Sequence, residues 1–230
     1  MTLLRNLLLG LVALVTLGGA GVAFMLHQAD HDPRYAHVVS IADAPTYQDP
    51  ALLARAWALP VAAAYRDDGF EYQANPSFCG PTSAANVAQS LGADVTQTTV
   101  LHGTSIRPFL GFVPGVTLDQ EAEILRIATG RRVEILRDLD LVAFRAHLAQ
   151  ANDPSVRYVV NFNRAALWGE GHGHISPILG YLPEEDLVFV GDVNARFQPF
   201  LVPSERLLEA MNTTDTSTGR SRGLLRIGPD

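Results

Sequence analysis

The chain holds one cysteine, Cys79, in the run QANPSFCGPTSAANVAQSLG. Pro81 suits the first turn of a helix, where its missing N–H costs nothing. Ala84, Ala85, Val87, Ala88 and Leu91 carry an apolar pattern on to a stop at Gly92. Cys79 therefore falls at a helix start. There the positive end of the helix dipole favours a thiolate, and the Cys79 N–H can meet a developing oxyanion. Gly80 lets a substrate come close to the backbone. The plainer role for a lone free cysteine is that of a small buried hydrophobe. Gln73, six residues before Cys79, ends in a neutral amide able to complete an oxyanion hole, and its plainer role is that of a polar loop side chain.

A thiol nucleophile needs a base, and EGHGHISP holds His172 and His174. The two face the same side of a strand, an arrangement open to a metal, but no third ligand stands at metal-like spacing. His172 reads as structural or solvent-facing. His174 opens HISPILGYLPEEDLVFVGDVN, which reads as two strands around a turn at Leu182–Asp186. A loop of odd length centred near residue 183 or 184 sets Asp192 opposite or diagonal to His174 on one sheet face. Asp192 would then fix the ring tautomer while the other nitrogen takes the thiol proton. An even loop without a bulge puts the pair on opposite faces. Asn194 is the alternative orienting group.

The elements that must hold these residues follow from pattern and punctuation. Ala51 to Ala58 predicts a helix stopped near Pro60. Thr117 and Gln120 make a capping-box pattern ahead of a helix through Ile124, Leu125 and Ile127 to Gly130. Leu141 to Gln150 predicts a third. The period then changes to that of strands, with Arg157 to Phe162, the pair around Leu182–Asp186, and Leu224–Ile227. A short helix at Glu205–Met211 lies among them. Helices first and an antiparallel sheet second predict an α+β fold.

Length and charge narrow the class. The 230 residues fit one domain with attachments. Lys+Arg 17 against Asp+Glu 24, with no basic stripe, argues against a nucleic-acid partner. Leu7 to Leu26 is uncharged and apolar, and at about 1.5 Å per residue it just spans a bilayer. It reads as a signal anchor or as a signal peptide cleaved near Gly18–Ala20 or Gly21–Ala23. Continuation through Phe24, Met25 and Leu26 favours the anchor. Arg5 then stays cytoplasmic, and the domain is exported, periplasm-facing and held at the inner membrane. The expected organisation is 1–26 anchor or signal, 27–50 linker and 51–230 catalytic domain. In an oxidising compartment a lone thiol is a liability unless buried or used.

These residues resemble a known family. QANPSFCGPTS resembles the nucleophile region of phytochelatin synthases, GHGHISPILGYLPEEDLVFVGDVN their His and Asp region, and FLVPSERLLEAM the segment that follows. The similarity spans roughly Leu59 to Met211. It implies a papain-like cysteine peptidase fold and an acyltransferase/peptidase acting on glutathione. By resemblance Cys79 attacks the Cys–Gly bond, glycine leaves, and a γ-glutamylcysteinyl thioester passes to a second glutathione or to water. His174 is then the base, Asp192 its orienter and Gln73 the oxyanion donor. Gly80, Ser83, Gly173 and Arg196 contact substrate, although the family's Arg stands one position earlier than Arg196. No cofactor or metal is expected to be bound by the protein itself, and metal ions enter as metal thiolates of the substrate. The Cys-rich C-terminal extension of eukaryotic members has no counterpart in this one-cysteine chain, which resembles the short prokaryotic members. Two other readings remain open at this point: a bacteriocin-leader type of cysteine peptidase, and a non-catalytic module binding metal through His172, His174 and Asp192.

Overall fold

A computed structural model describes residues 32–67 and 69–229 of the chain. The apolar stretch Leu7–Leu26 lies outside them, and among the described residues no helix is long and apolar enough to cross a membrane. Seven α-helices are described: α1 Pro50–Trp57, α2 Pro60–Asp67, α3 Cys79–Gln89, α4 Leu118–Thr129, α5 Leu141–Leu148, α6 Ala165–Trp168 and α7 Ser204–Met211. The strands are β1 Arg132–Leu136, β2 Arg157–Asn163, β3 Gly173–Leu182, β4 Leu187–Val190, β5 Phe200–Pro203, β6 Thr214–Asp215, β7 Arg220–Ser221 and β8 Gly223–Gly228. Six form one antiparallel sheet in the order β1-β8-β2-β3-β4-β5, while β6 and β7 form a separate ribbon.

Helices cover both faces of the main sheet, so its strands alternate between two apolar cores rather than between core and water. Val159, Ile175, Leu179, Phe189 and Leu225 pack under α3 and α4. Tyr158, Val160, Phe162, Val188, Val190 and Leu224 pack on the other face with Phe144 of α5 and Leu207 and Met211 of α7. The capping box at Thr117 and Gln120 is fully formed, and Gly130 closes α4 in the left-handed conformation at φ 63°.

The helix expected over Ala51–Ala58 and stopped near Pro60 is α1, which ends at Trp57, and Pro60 then opens α2, since proline is well tolerated at a first helical position. Two features differ from the sequence expectations. The described part of the expected linker, from residue 32 to 50, is packed onto the domain. Ile41 is buried, Tyr47 stacks on Phe200, and the Leu201 N–H donates to the Tyr47 carbonyl at 2.9 Å. β1 was not foreseen, because RVEIL is short and its charges mask the alternation.

The register of β3 against β4 decides what the sheet can do. Leu182 pairs with Leu187, leaving the even loop Pro183–Asp186. That parity alone would turn His174 and Asp192 to opposite faces. The ladder shifts between Ile178 and Gly180, with Leu179 as the extra residue, and beyond it Ile178 pairs with Val190. This β-bulge restores the odd relation. Continued two places, the register sets Asp192 across from Ser176 and diagonal to His174. The Gly191 N–H donation to the Pro177 carbonyl at 2.9 Å fits that continuation. Room for the bulged Leu179 comes from Gly191: a Cβ there would lie 2.9–3.0 Å from three Leu179 side-chain carbons. Leu179 is fully buried and has nowhere to retreat. Gly191→Val should therefore destabilise the fold by about 1–3 kcal/mol, the usual cost of overpacking. It should also lower turnover below the share of protein still folded, because it moves Asp192 relative to His174. Thermal melts paired with activity measured well below the melting range check this.

Candidate active site

The α3 start is built from the preceding loop. The Asn86 side chain on α3 accepts from the Glu71 N–H at 2.8 Å and donates to the Glu71 carbonyl at 3.0 Å. This pins the segment leading to Gln73. The Gln73 N–H then donates to the Val193 carbonyl at 2.7 Å, next to Asp192. Asn75 Oδ1 accepts from both the N–H (3.0 Å) and the Oγ (2.7 Å) of Ser77, turning the chain into the helix. Cys79 is the first residue of α3, so its N–H has no carbonyl partner within the helix.

Cys79 is half-buried and meets the start of β3, where the Ile175 backbone N–H favours its thiolate form. The adjacent residue is His174. Ser83, one turn along α3, locks this contact by donating to the Ile175 carbonyl at 2.9 Å. His174 Nε2 stands 3.0 Å from Asp192 Oδ1, and both side chains are buried. With Nε2–H donating to the carboxylate, Nδ1 is the nitrogen that can accept the thiol proton.

Asp192 is shared. Arg164 Nη2 donates to its two oxygens at 2.7 and 2.6 Å, and the Asn194 N–H donates to Oδ1 at 2.8 Å. The Arg164 guanidinium lies over the Phe197 ring, 4.1 Å from its centroid. Asn194 thus serves the carboxylate through its backbone and leaves the imidazole to Asp192. Burial acts to raise the Asp192 carboxyl, but the charges and hydrogen bonds of His174 and Arg164 outweigh it and hold it at about 2.

The thiol departs from the sequence expectation. Desolvation pushes Cys79 above its ordinary range, against the opposing pull of the Ile175 N–H, and the Glu121 carboxyl pushes the same way as burial. Burial and then the Arg164 charge push His174 down despite Asp192. The thiol and the imidazole are therefore both neutral at rest. A preformed thiolate was expected from the helix start alone; the helix dipole is worth about 1 kcal/mol at such a site, too little to offset the loss of solvent.

The other expected site residues divide. Gln73 lies beside Asp192, with Nε2 donating to the Asn75 carbonyl at 3.0 Å and Oε1 buried without a partner. Gly173 lies at the site: a Cβ there would be 2.2 Å from Arg222 Nη1. Ser83 is buried on its β3 bridge, so its hydroxyl holds α3 and faces no cleft. Gly80 makes room inward, where a Cβ would meet Glu121 Oε2 at 2.7 Å and Val116 Cβ at 3.0 Å. The need for glycine there is packing between α3 and α4. Arg196 is 76% exposed, 3.7 Å from Glu170, and lies over the Phe197 ring. The arginines at the site are Arg164 and Arg222, neither singled out from sequence. Arg222 is buried, donates to Asn161 Oδ1 at 3.0 Å and lies 3.9 Å from Asp215 Oδ2. Its charge and that of Cys79 act on each other. Among the described residues, no group of three or more His, Cys, Asp or Glu is placed to hold a metal ion.

Comparison with known proteins fits this geometry. The protein-family model described as phytochelatin synthase matches residues 112–224, which include His174, Asp192 and Arg222. Glutathione gamma-glutamylcysteinyltransferase 1 of Triticum aestivum is 31% identical over 182 residues, covering 69% of this chain and 34% of that protein. Glutathione gamma-glutamylcysteinyltransferase 2 of Arabidopsis thaliana is 30% identical over 176 residues, covering 69% of this chain and 38% of that protein. Over residues 112–224 the chain is similar to the phytochelatin synthase family. It spans between a third and two-fifths of the length of these relatives. Among solved structures, a C39-like peptidase from Bacillus anthracis superposes with a TM-score of 0.50 at 14% identity, covering 71% of this chain and 96% of that one. The fold is the papain-like cysteine peptidase fold, as expected for this family.

The shared carboxylate sets a testable pH dependence. Asp192 titrates at about 2 rather than 3.8, so the stability it contributes is present above 3.8 and lost as pH falls toward 2. Arg164→Met removes one partner of a buried pair, a loss of about 3–5 kcal/mol. Acid unfolding should then begin at higher pH. The acid limb of kcat/KM, governed by His174, should also move to higher pH, because the Arg164 charge no longer opposes the imidazolium. Acid titration by circular dichroism and a pH–rate profile read the two effects.

Proposed function

We propose that this protein is a cysteine-dependent acyltransferase/peptidase that opens the Cys–Gly bond of glutathione. The single observation that carries the reading is the buried Arg222–Asp215 pair set against Gly173, beside the nucleophile. A γ-glutamyl group differs from an ordinary peptide N-terminus in keeping both its α-carboxylate and its α-ammonium free. A buried guanidinium with an unpartnered Nε and a neighbouring carboxylate offer one counter-charge to each.

The chemistry follows from the neutral resting pair. As the Cys79 sulfur bonds to the cysteinyl carbonyl carbon, its proton passes to His174 Nδ1, and Asp192 stabilises the imidazolium. The carbonyl oxygen gains charge against the Cys79 N–H, with the Gln73 amide as second donor. His174 returns the proton to the nitrogen of the departing glycine as the C–N bond breaks, leaving a thioester. In the second half His174 takes a proton from the acceptor, which bonds to the same carbon, and the sulfur leaves as the Cys79 thiol. Water as acceptor gives γ-glutamylcysteine. The α-amino group of a second glutathione gives a chain longer by one γ-glutamylcysteinyl unit. The scheme draws on no metal bound by the protein; a soft metal ion would enter on the substrate thiol. The reading also keeps the domain outside the cytoplasm, tethered through Leu7–Leu26, as the uncharged length of that stretch supports.

Reduced protein incubated with glutathione should release glycine, and mass analysis with and without cadmium or zinc should identify the acceptor. Cys79→Ala should abolish release, and His174→Ala should reduce it by about 10²–10⁴-fold, the range for a lost acid–base group. Arg222→Met should raise KM for glutathione about tenfold or more with a much smaller change in kcat, read from initial rates. Absence of glycine release from fully reduced protein would sink the proposal.

A further inference from the structure

Glu121 is a buried ionisable group that the mechanism above does not use. It lies on the inner face of α4, fully inaccessible, and neither carboxyl oxygen has a hydrogen-bond partner. An acid carrying a charge in such a place would cost several kcal/mol, so some feature of the site must account for its neighbours. Those neighbours are the nucleophile's own turn. Gly80 packs so closely that a Cβ there would stand 2.7 Å from Oε2. Any side chain at residue 80 would collide with the carboxyl, and Cys79 lies one residue away.

The surrounding charges leave Glu121 without compensation. α4 packs on α3, β1, β8 and the 3-10 turn Thr99–Leu101. The ionisable groups those elements carry are Cys79 on α3, Arg132 and Glu134 on β1, and Arg226 on β8. Arg132 and Arg226 are both directed to Glu134, at 2.9 and 3.8 Å. From the other side Cys79 is acted on by Arg164, Arg222 and the Ile175 backbone N–H. Two groups that each become anionic thus sit on one turn, and no cation bridges them.

We propose that Glu121 is a positioning residue for the nucleophile: its carboxyl, pressed against the Cys79–Gly80 turn from α4, stays protonated while Cys79 works, and its ionisation suppresses the thiolate. Burial holds the carboxyl well above the ordinary glutamate range, which extends the working interval toward neutral and alkaline pH. The proposal rests on Cys79 as the nucleophile but not on the identity of its substrate. Iodoacetamide reads the thiolate directly, so a failure of glutathione to react would leave this inference standing.

The test compares the alkylation rate of Cys79 across pH in the full chain and in Glu121→Gln, with Glu121→Met as a second neutral replacement. At mildly acidic pH, where Glu121 is protonated, the rates should agree. At alkaline pH both variants should alkylate about tenfold faster, the effect of one pKa unit. A ratio that stays constant across pH, as a merely structural role predicts, overturns the proposal. The unsubstituted chain supplies an independent check that needs no variant to fold. Its infrared spectrum at neutral pH should hold the carbonyl stretch of a buried protonated carboxylic acid, and its absence there also overturns the proposal.

Discussion

Between Ile178 and Gly180 the β3–β4 ladder changes register, and the meeting of His174 with Asp192 depends on that change. A strand has a side-chain period of two, so one residue more or less reverses every face beyond it. The loop Pro183–Asp186 has the wrong parity to bring His174 and Asp192 together. The bulged Leu179 corrects it, and Gly191 and the two-faced apolar core make the correction stable. Asp186 secures the turn by holding φ 55° and accepting from Tyr181 Oη, Arg145 Nη2 and Ser204 Oγ at 2.6, 2.5 and 2.8 Å. Three elements thus fix the register from outside the site.

Within the site, burial is the dominant force and partners decide its outcome. Asp192 is as buried as Glu121, yet the two carboxyls are driven in opposite directions. Asp192 has an imidazole, a guanidinium and a backbone N–H; Glu121 has none of these. Burial also keeps Cys79 and His174 neutral at rest. In the proposed reaction the ionic form is reached with substrate in place, where the developing charges meet fixed donors instead of water.

Local signals carried far into this fold. The α3 start, the capping box of α4 and the paired strands around residues 182–187 were legible because caps, turns and periodicity act within a few residues. The pairing of His174 with Asp192 was legible through spacing and family resemblance, though it is reached through a bulge and not an odd loop. What escaped was set by long-range packing. Arg164 reaches Asp192 because its N–H is tied to the His172 carbonyl at 3.0 Å, just before β3, and Arg222 meets Gly173 because β8 inserts between β1 and β2. Nothing local marks either arginine apart from the exposed Arg196. Ser83 and Gly80 were assigned to substrate because they flank the nucleophile; in the helix their directions lead to β3 and to α4.

The account's central claim is that Cys79 becomes acylated by one half of glutathione. The most direct measurement is acid quenching of reduced protein soon after mixing with glutathione, followed by mass mapping of the peptide that carries Cys79. The account predicts a γ-glutamylcysteinyl thioester on that peptide, formed together with free glycine and absent in Cys79→Ala. An unmodified Cys79 peptide at times when glycine is already being released would contradict it.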